Sequence, residues 1–325
     1  MIRGDSLEGA IAATLAYADV FSFAMKPSEV HRFLIGRRAS RPEVERCLSG
    51  NNALRSVIST RDGLWFLAGK DHLAPRRQRF ARHSEFLWPR ARHIATTMER
   101  TGLCLTGMVT GSLAADNADE HADIDFLFIY PAERTWTSFA AVRLIKNWPA
   151  LSSCCPNYVL ASDRLLIQPQ NLFTAWEIAK AVPLFGYDVY EQFIAANRWV
   201  GRYLPNALPL VDQALEPAPL REDPSWVRTL TSSGAFRWLE ERERRRKHQT
   251  DKRDVGVDMK DRNAKGSMDR HSPTRSFHTL SELRYRMSTL GLEAHPLFTE
   301  LYEATNMLED EMTRWGADAI RTEAG

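Results

Sequence analysis

Four cysteines in 325 residues are too few to carry the fold as a disulfide framework. Cys47 and Cys104 lie in apolar patterns that read as buried thiols, and the vicinal Cys154-Cys155 lacks the spacing of a zinc knuckle or redox motif. Long apolar runs are also missing. No stretch approaches the roughly 20 residues of a membrane-spanning helix, and the opening MIRGDSLEGA has no signal-peptide core. The expectation is a cytoplasmic protein with no membrane partner. Charge of one sign is lacking too: 43 Lys and Arg face 41 Asp and Glu, a formal net charge of +2. Total charge therefore draws the chain to nucleic acid neither more nor less than average, and local patches must decide.

What is present is one dense stretch, Met108 to Tyr130, MVTGSLAADNADEHADIDFLFIY. It predicts a strand ending at Thr110, a Gly111-Ser112 turn, a short helical or loop segment, and a second strand carrying Asp123 and Asp125. Alternation on a strand puts Asp123 and Asp125 on one face and turns Ile124, Phe126 and Phe128 into a core. Two adjacent carboxylates repel unless a cation lies between them, and Mg²⁺, held by one or two carboxylates plus substrate phosphate, suits such a pair. Gly111 lets backbone approach a ligand closely, and Ser112 can present its amide and hydroxyl to a phosphate. His121 reads as solvated.

The rest of the chain falls around this stretch. Leu7, Ile11, Leu15 and Ala18 recur at helical spacing; Pro27 opens a second helix, and Ser40-Arg41-Pro42-Glu43 is a capping box that starts a third. Arg61-Asp62-Gly63 between Arg55–Thr60 and Leu64–Ala68 predicts a β-hairpin. Three helices and a hairpin give a winged-helix-like domain over 1–70. Its third helix balances Arg41 and Arg46 against Glu43 and Glu45, so packing is a better use for it than DNA. A helical connector follows over 71–102, with a kink or break at Trp88-Pro89 and a row of arginines that reads as a wet face.

Beyond the central stretch, Trp136–Ile145 reads as helix. Asn157–Ser162 and Arg164–Gln168 read as short strands joined at Asp163, and Leu172–Val182 as helix. The aromatics from Phe173 to Trp199 read as helical core. The region 207–325 is predicted to be helical, with a flexible loop at 247–276, where large apolar residues are scarce.

Gly111-Ser112, the ten residues Leu113 to Ala122, and Asp123-Ile124-Asp125 together resemble the signature of the DNA polymerase β-like nucleotidyltransferase superfamily. From the winged helix to about Asn206 the chain is also similar to bacterial nucleotidyltransferase-domain proteins of uncharacterised function, a likeness that names no substrate. The resemblance implies an α/β (α+β) core with a mixed sheet over 103–206. It implies Mg²⁺-dependent transfer of a nucleoside monophosphate from a nucleoside triphosphate to an acceptor, with a two-metal site. Asp123 and Asp125 would be the metal-binding, catalytic carboxylates, and Gly111 and Ser112 would bind the nucleotide. Active members usually add a third carboxylate on a later strand. Here the expected strand reads PNYVLAS, with Asn157 where an acid would stand; Asp163 falls in a turn and Glu177 on a helix. Three readings follow, in order of preference. The first is an active nucleotidyltransferase acting on a small molecule, protein or RNA; the second is a catalytically degenerate nucleotide-binding regulator; the third is a winged-helix regulator that binds DNA.

Overall fold

The computed structural model describes residues 2–50, 53–207, 229, 231–255, 267–269 and 273–307. The chain opens with α1 (Leu7–Val20), α2 (Pro27–Arg32) and α3 (Arg41–Gly50), then a hairpin of β1 (Ile58–Arg61) and β2 (Leu64–Leu67). Ser6 caps α1 by accepting from the Gly9 amide at 3.1 Å, and Glu43 reaches back to the Ser40 amide at 2.8 Å as a capping box requires. The two hairpin residues Asp62 and Gly63 both take positive φ, +55° and +74°, the conformation that a type I′ turn demands.

The N-terminal elements do not stand apart. Helix α1 is buried from Gly9 to Asp19, as an apolar helix without a wet face must be. Tyr17 and Phe33 pack on Trp176, with ring centroids 4.4 Å and 4.8 Å away.

Helix α4 (Leu73–Thr101) runs unbroken through Pro89. The missing Pro89 amide would have served the Glu85 carbonyl, and both residues are exposed, so water can take that bond. It leads into β3 (Thr106–Val109), the short helix α5 (Gly111–Ala114), β4 (Ile124–Tyr130), α6 (Thr135–Ile145), β5 (Cys154–Ala161), α7 (Leu172–Lys180) and β6 (Val182–Phe185). Then come α8 (Tyr187–Ala196), α9 (Val200–Tyr203), α10 (Gly234–Val255), β7 (Ser267–Asp269) and α11 (Pro273–Thr289), and finally α12 over 296–307.

Five strands form a mixed sheet in the order β6-β3-β4-β5-β7. β4 is antiparallel to β3 and parallel to β5, and the outer strands pair antiparallel. The sequence of β4, IDFLFIY, is apolar on both faces, and both are covered. Phe126 and Phe128 pack with Ile94 and Met98 of α4 and Phe139 of α6, whereas Leu127 and Ile129 share a core with α1, α7 and α11. Among the described residues no helix is long and apolar enough to cross a membrane.

Several expectations change here. The strand over Asn157–Ser162 starts earlier, at Cys154, and Arg164–Gln168 is not a strand. The Asn197 side chain bonds the Ile167 amide at 3.0 Å and the Leu165 carbonyl at 2.8 Å, holding that segment by a side chain instead of a ladder. Helix α7 stops at Lys180, and Val182–Phe185 becomes an edge strand, where Pro183 is tolerated. The stretch 247–276 is not loop throughout: it is helix to Val255, strand at Ser267–Asp269 and helix from Pro273. Its remaining residues, 256–266 and 270–272, lie outside the described residues, as do 208–228, 230 and 308–325 of the region predicted to be helical.

Candidate functional site

A cleft of about 550 Å³ opens where the Gly111 turn, α2, α4 and α7 meet. Gly111 has φ +66°, and a Cβ on it would fall 2.2 Å from Oδ2 of Asp125. Only glycine meets both conditions, the left-handed backbone and the close approach. The pressing together is fixed by the Thr110 amide, which donates to the Asp125 carbonyl at 2.9 Å. Ser112 and Asp125 line the same cleft.

Burial, and then the nearby Glu177, raise the Asp125 carboxyl above its ordinary range; the Cys155 thiol, Lys180 and Arg275 oppose that shift. Two acids thus act on one another here, but they are Asp125 and Glu177. Asp123 lies one residue before β4, is exposed, and does not line the cleft. Glu177 comes from α7, where an apolar helix is buried almost end to end and carries an acid and Lys180 one turn apart. Their ion pair is 2.5 Å long, with side chains 8% and 13% exposed. A charged pair set into an apolar helix was the sequence signal for this part of the site.

Neither other candidate for a third acid enters the cleft. In the β4–β5 register Asp125 stands beside Cys155, and a bulge between Phe126 and Leu127 leaves Asn157 without a partner position. Asn157 is buried and Asp163 lies in the turn after β5. Cys104 and Cys154 are buried free thiols and Cys47 and Cys155 half-buried ones; burial pushes Cys154 up to about 12 and Cys47 up to about 11, so these two are not thiolates at neutral pH.

The segment after α5 is held from α4. Arg77, 1% exposed, donates to the Asp116 carbonyl and pairs with Glu29 at 2.9 Å. The Trp88 indole donates to the Asp116 carboxylate at 2.8 Å, and the Ala118 amide to Ser84 at 3.1 Å. Asp116 takes φ +49° under these restraints. Of the α4 arginines, Arg77 is therefore interior, Arg76 half-buried at the cleft, and Arg79, Arg82, Arg90 and Arg92 exposed as expected. On α3, Arg41 pairs with Glu45 at 2.7 Å.

Among the described residues no group of three or more His, Cys, Asp and Glu is placed to hold a metal ion on its own. A carboxyl whose proton affinity is raised by burial and by a second acid still suits a hard divalent cation that brings phosphate oxygens with it. No protein-family model, curated protein or solved structure matches the chain.

Proposed function

We propose that the cleft is the site of a Mg²⁺-dependent nucleotidyltransferase, and that the mixed sheet with its Gly-Ser turn is a nucleotidyltransferase core. The observation that carries this reading is the contact between Gly111 and Asp125, where a Cβ would fall 2.2 Å from the carboxylate. Such a position disfavours any side chain and brings a turn's backbone against an acid, an arrangement that suits phosphate and cation meeting there.

On this reading Asp125 and Glu177 hold the cation, and the backbone of Gly111-Ser112 receives the triphosphate. The cation would neutralise phosphate charge as it moves to the leaving pyrophosphate. Lys180, paired with Glu177 in the protein alone, is a cation already at hand for phosphate. Asp123, a metal ligand on the resemblance, lies outside the cleft lining and has no part assigned on this reading. The N-terminal helices and hairpin serve as a winged-helix-like unit that packs and walls the cleft. Burial of α1 and the Arg41–Glu45 pair support that use over duplex binding.

The test is isothermal titration of each nucleoside triphosphate with Mg²⁺ into wild type, Asp125→Ala and Glu177→Gln, with pyrophosphate followed in the same samples. Binding and pyrophosphate release by wild type, with both lost in Asp125→Ala, are the expected result. Absence of binding for every nucleotide would overturn the reading. Asn157, a buried amide outside the cleft lining where the resemblance calls for an acid, favours a second reading: a nucleotide-binding regulator without turnover. Its mark is metal-dependent binding with no pyrophosphate released.

A further inference from the structure

The acids around the cleft other than Asp125 are engaged. Glu29 is tied to Arg77 and to the Lys26 amide, Asp116 to Trp88, Asp119 to the His121 amide, and Glu177 to Lys180. Two arginines of the same cleft differ. Arg32, at the end of α2, donates to the Ala179 carbonyl at 2.8 Å, and Arg76, in the first turn of α4, donates to the Ser22 carbonyl at 2.6 Å. Neither makes an ion pair with a carboxylate among the described residues. A guanidinium carries five donors, so most of each fork is uncommitted to these carbonyls.

Both forks are also held in place. Arg32 lies 5.2 Å from the Phe33 ring centroid and Arg76 4.3 Å from that of Phe80, contacts that orient a planar cation before any ligand arrives. Burial and the neighbouring Arg79 lower the Arg76 guanidinium from its ordinary value, with Asp119 opposing. A positive charge lowered by its surroundings is one that gains from an incoming anion.

We propose that Arg32 and Arg76 form an anion subsite that grips a phosphate group, so that the N-terminal helices supply part of the substrate site. The inference deepens the reading of the cleft as a phosphate-ester site, and it needs no metal at Asp125. The phosphate is either the tail of the nucleotide or a group on a phosphorylated acceptor.

Inorganic pyrophosphate, titrated into the full chain in metal-free buffer, is the probe. Wild type should bind it, Arg32→Gln and Arg76→Gln should each weaken binding by about tenfold, and the exposed-site control Arg92→Gln should match wild type. Arg32 is exposed, so Arg32→Gln keeps the test intact if Arg76→Gln fails to fold. No binding by wild type, or equal binding by wild type and both cleft variants, overturns the proposal. Repeating the titration with a non-hydrolysable nucleoside triphosphate and Mg²⁺ at saturation separates the sources. Competition assigns the subsite to the nucleotide's tail, and continued arginine-dependent binding assigns it to the acceptor. If no nucleotide binds while pyrophosphate binding still depends on the arginines, the transferase reading falls and the anion subsite stands.

Discussion

Two buried ion pairs border the same cleft, and they are built differently. Arg77–Glu29 joins α4 to α2, and Arg77 also reaches the Asp116 carbonyl and lies 4.9 Å from the Phe23 ring centroid. Glu29 uses its other oxygen to accept from the Lys26 amide at 2.7 Å, capping α2. One pair therefore ties together three segments. Lys180–Glu177 joins two positions one turn apart on α7, so the bond itself connects no separate elements, and it lies beside a carboxyl whose proton affinity is raised. A buried charge that links elements maintains the shape; one that links neighbours on a single helix leaves the packing between elements independent of it.

Removing a charge from the first pair should have the largest effect. Arg77→Met leaves Glu29 and the Asp116 carbonyl without their partner, and loss of one member of a buried pair costs about 3–5 kcal/mol. Urea unfolding should show that loss. Combining it with Glu29→Gln, which keeps the cap on α2, should recover part of it. If Arg77→Met is no less stable than wild type, the pair is not the tie described.

On the other side of the cleft, Gly111→Ala should cost about 2 kcal/mol, because it adds a Cβ at positive φ and against Asp125. Gly63 separates the two causes: it has φ +74° and nothing within 4 Å of its Cβ position. Gly63→Ala should lose about 1 kcal/mol, from backbone conformation alone. Equal losses in urea unfolding at both positions would show that contact with Asp125 contributes nothing.

What the sequence made legible follows from the range of each signal. α1 to α3, the hairpin, α4 and the central strands have local causes: helical spacing, the Ser40 capping box, Asp62-Gly63, and an apolar run in β4. β6 and β7 have none. Val182–Phe185 carries a proline and Ser267–Asp269 lies in a polar stretch, and each is a strand because a neighbour's open edge accepts it. The site divides in the same way. Gly111, Ser112 and Asp125 are close in sequence and could be read from spacing. Arg32, Arg76, Glu177 and Lys180 come from α2, α4 and α7 and meet only through tertiary packing. The expected pairing of Asp123 with Asp125 was read from alternation alone; Asp123 stands exposed one residue before β4 and outside the cleft lining.

The smallest effect should also be the one of opposite sign. Burial and Glu177 raise the Asp125 carboxyl in the folded protein above its ordinary value of 3.8, so the native state holds that proton more tightly than the unfolded chain does. Below the unfolded value Asp125 is protonated in both states, and its contribution is fully present. As pH rises through the folded value, the native state must accept a buried charge and stability is lost. Asp125→Asn keeps the shape and removes that charge, so at neutral pH it should stabilise the protein by about 1 kcal/mol, and on the proposed transferase reading it should also abolish metal-dependent nucleotide binding. Thermal melts of the two proteins should coincide in acid and separate as pH rises, with the variant higher. A variant that melts below wild type at neutral pH would mean that Asp125 stabilises the fold as Arg77 does, and the contrast between the two sides of the cleft would fail.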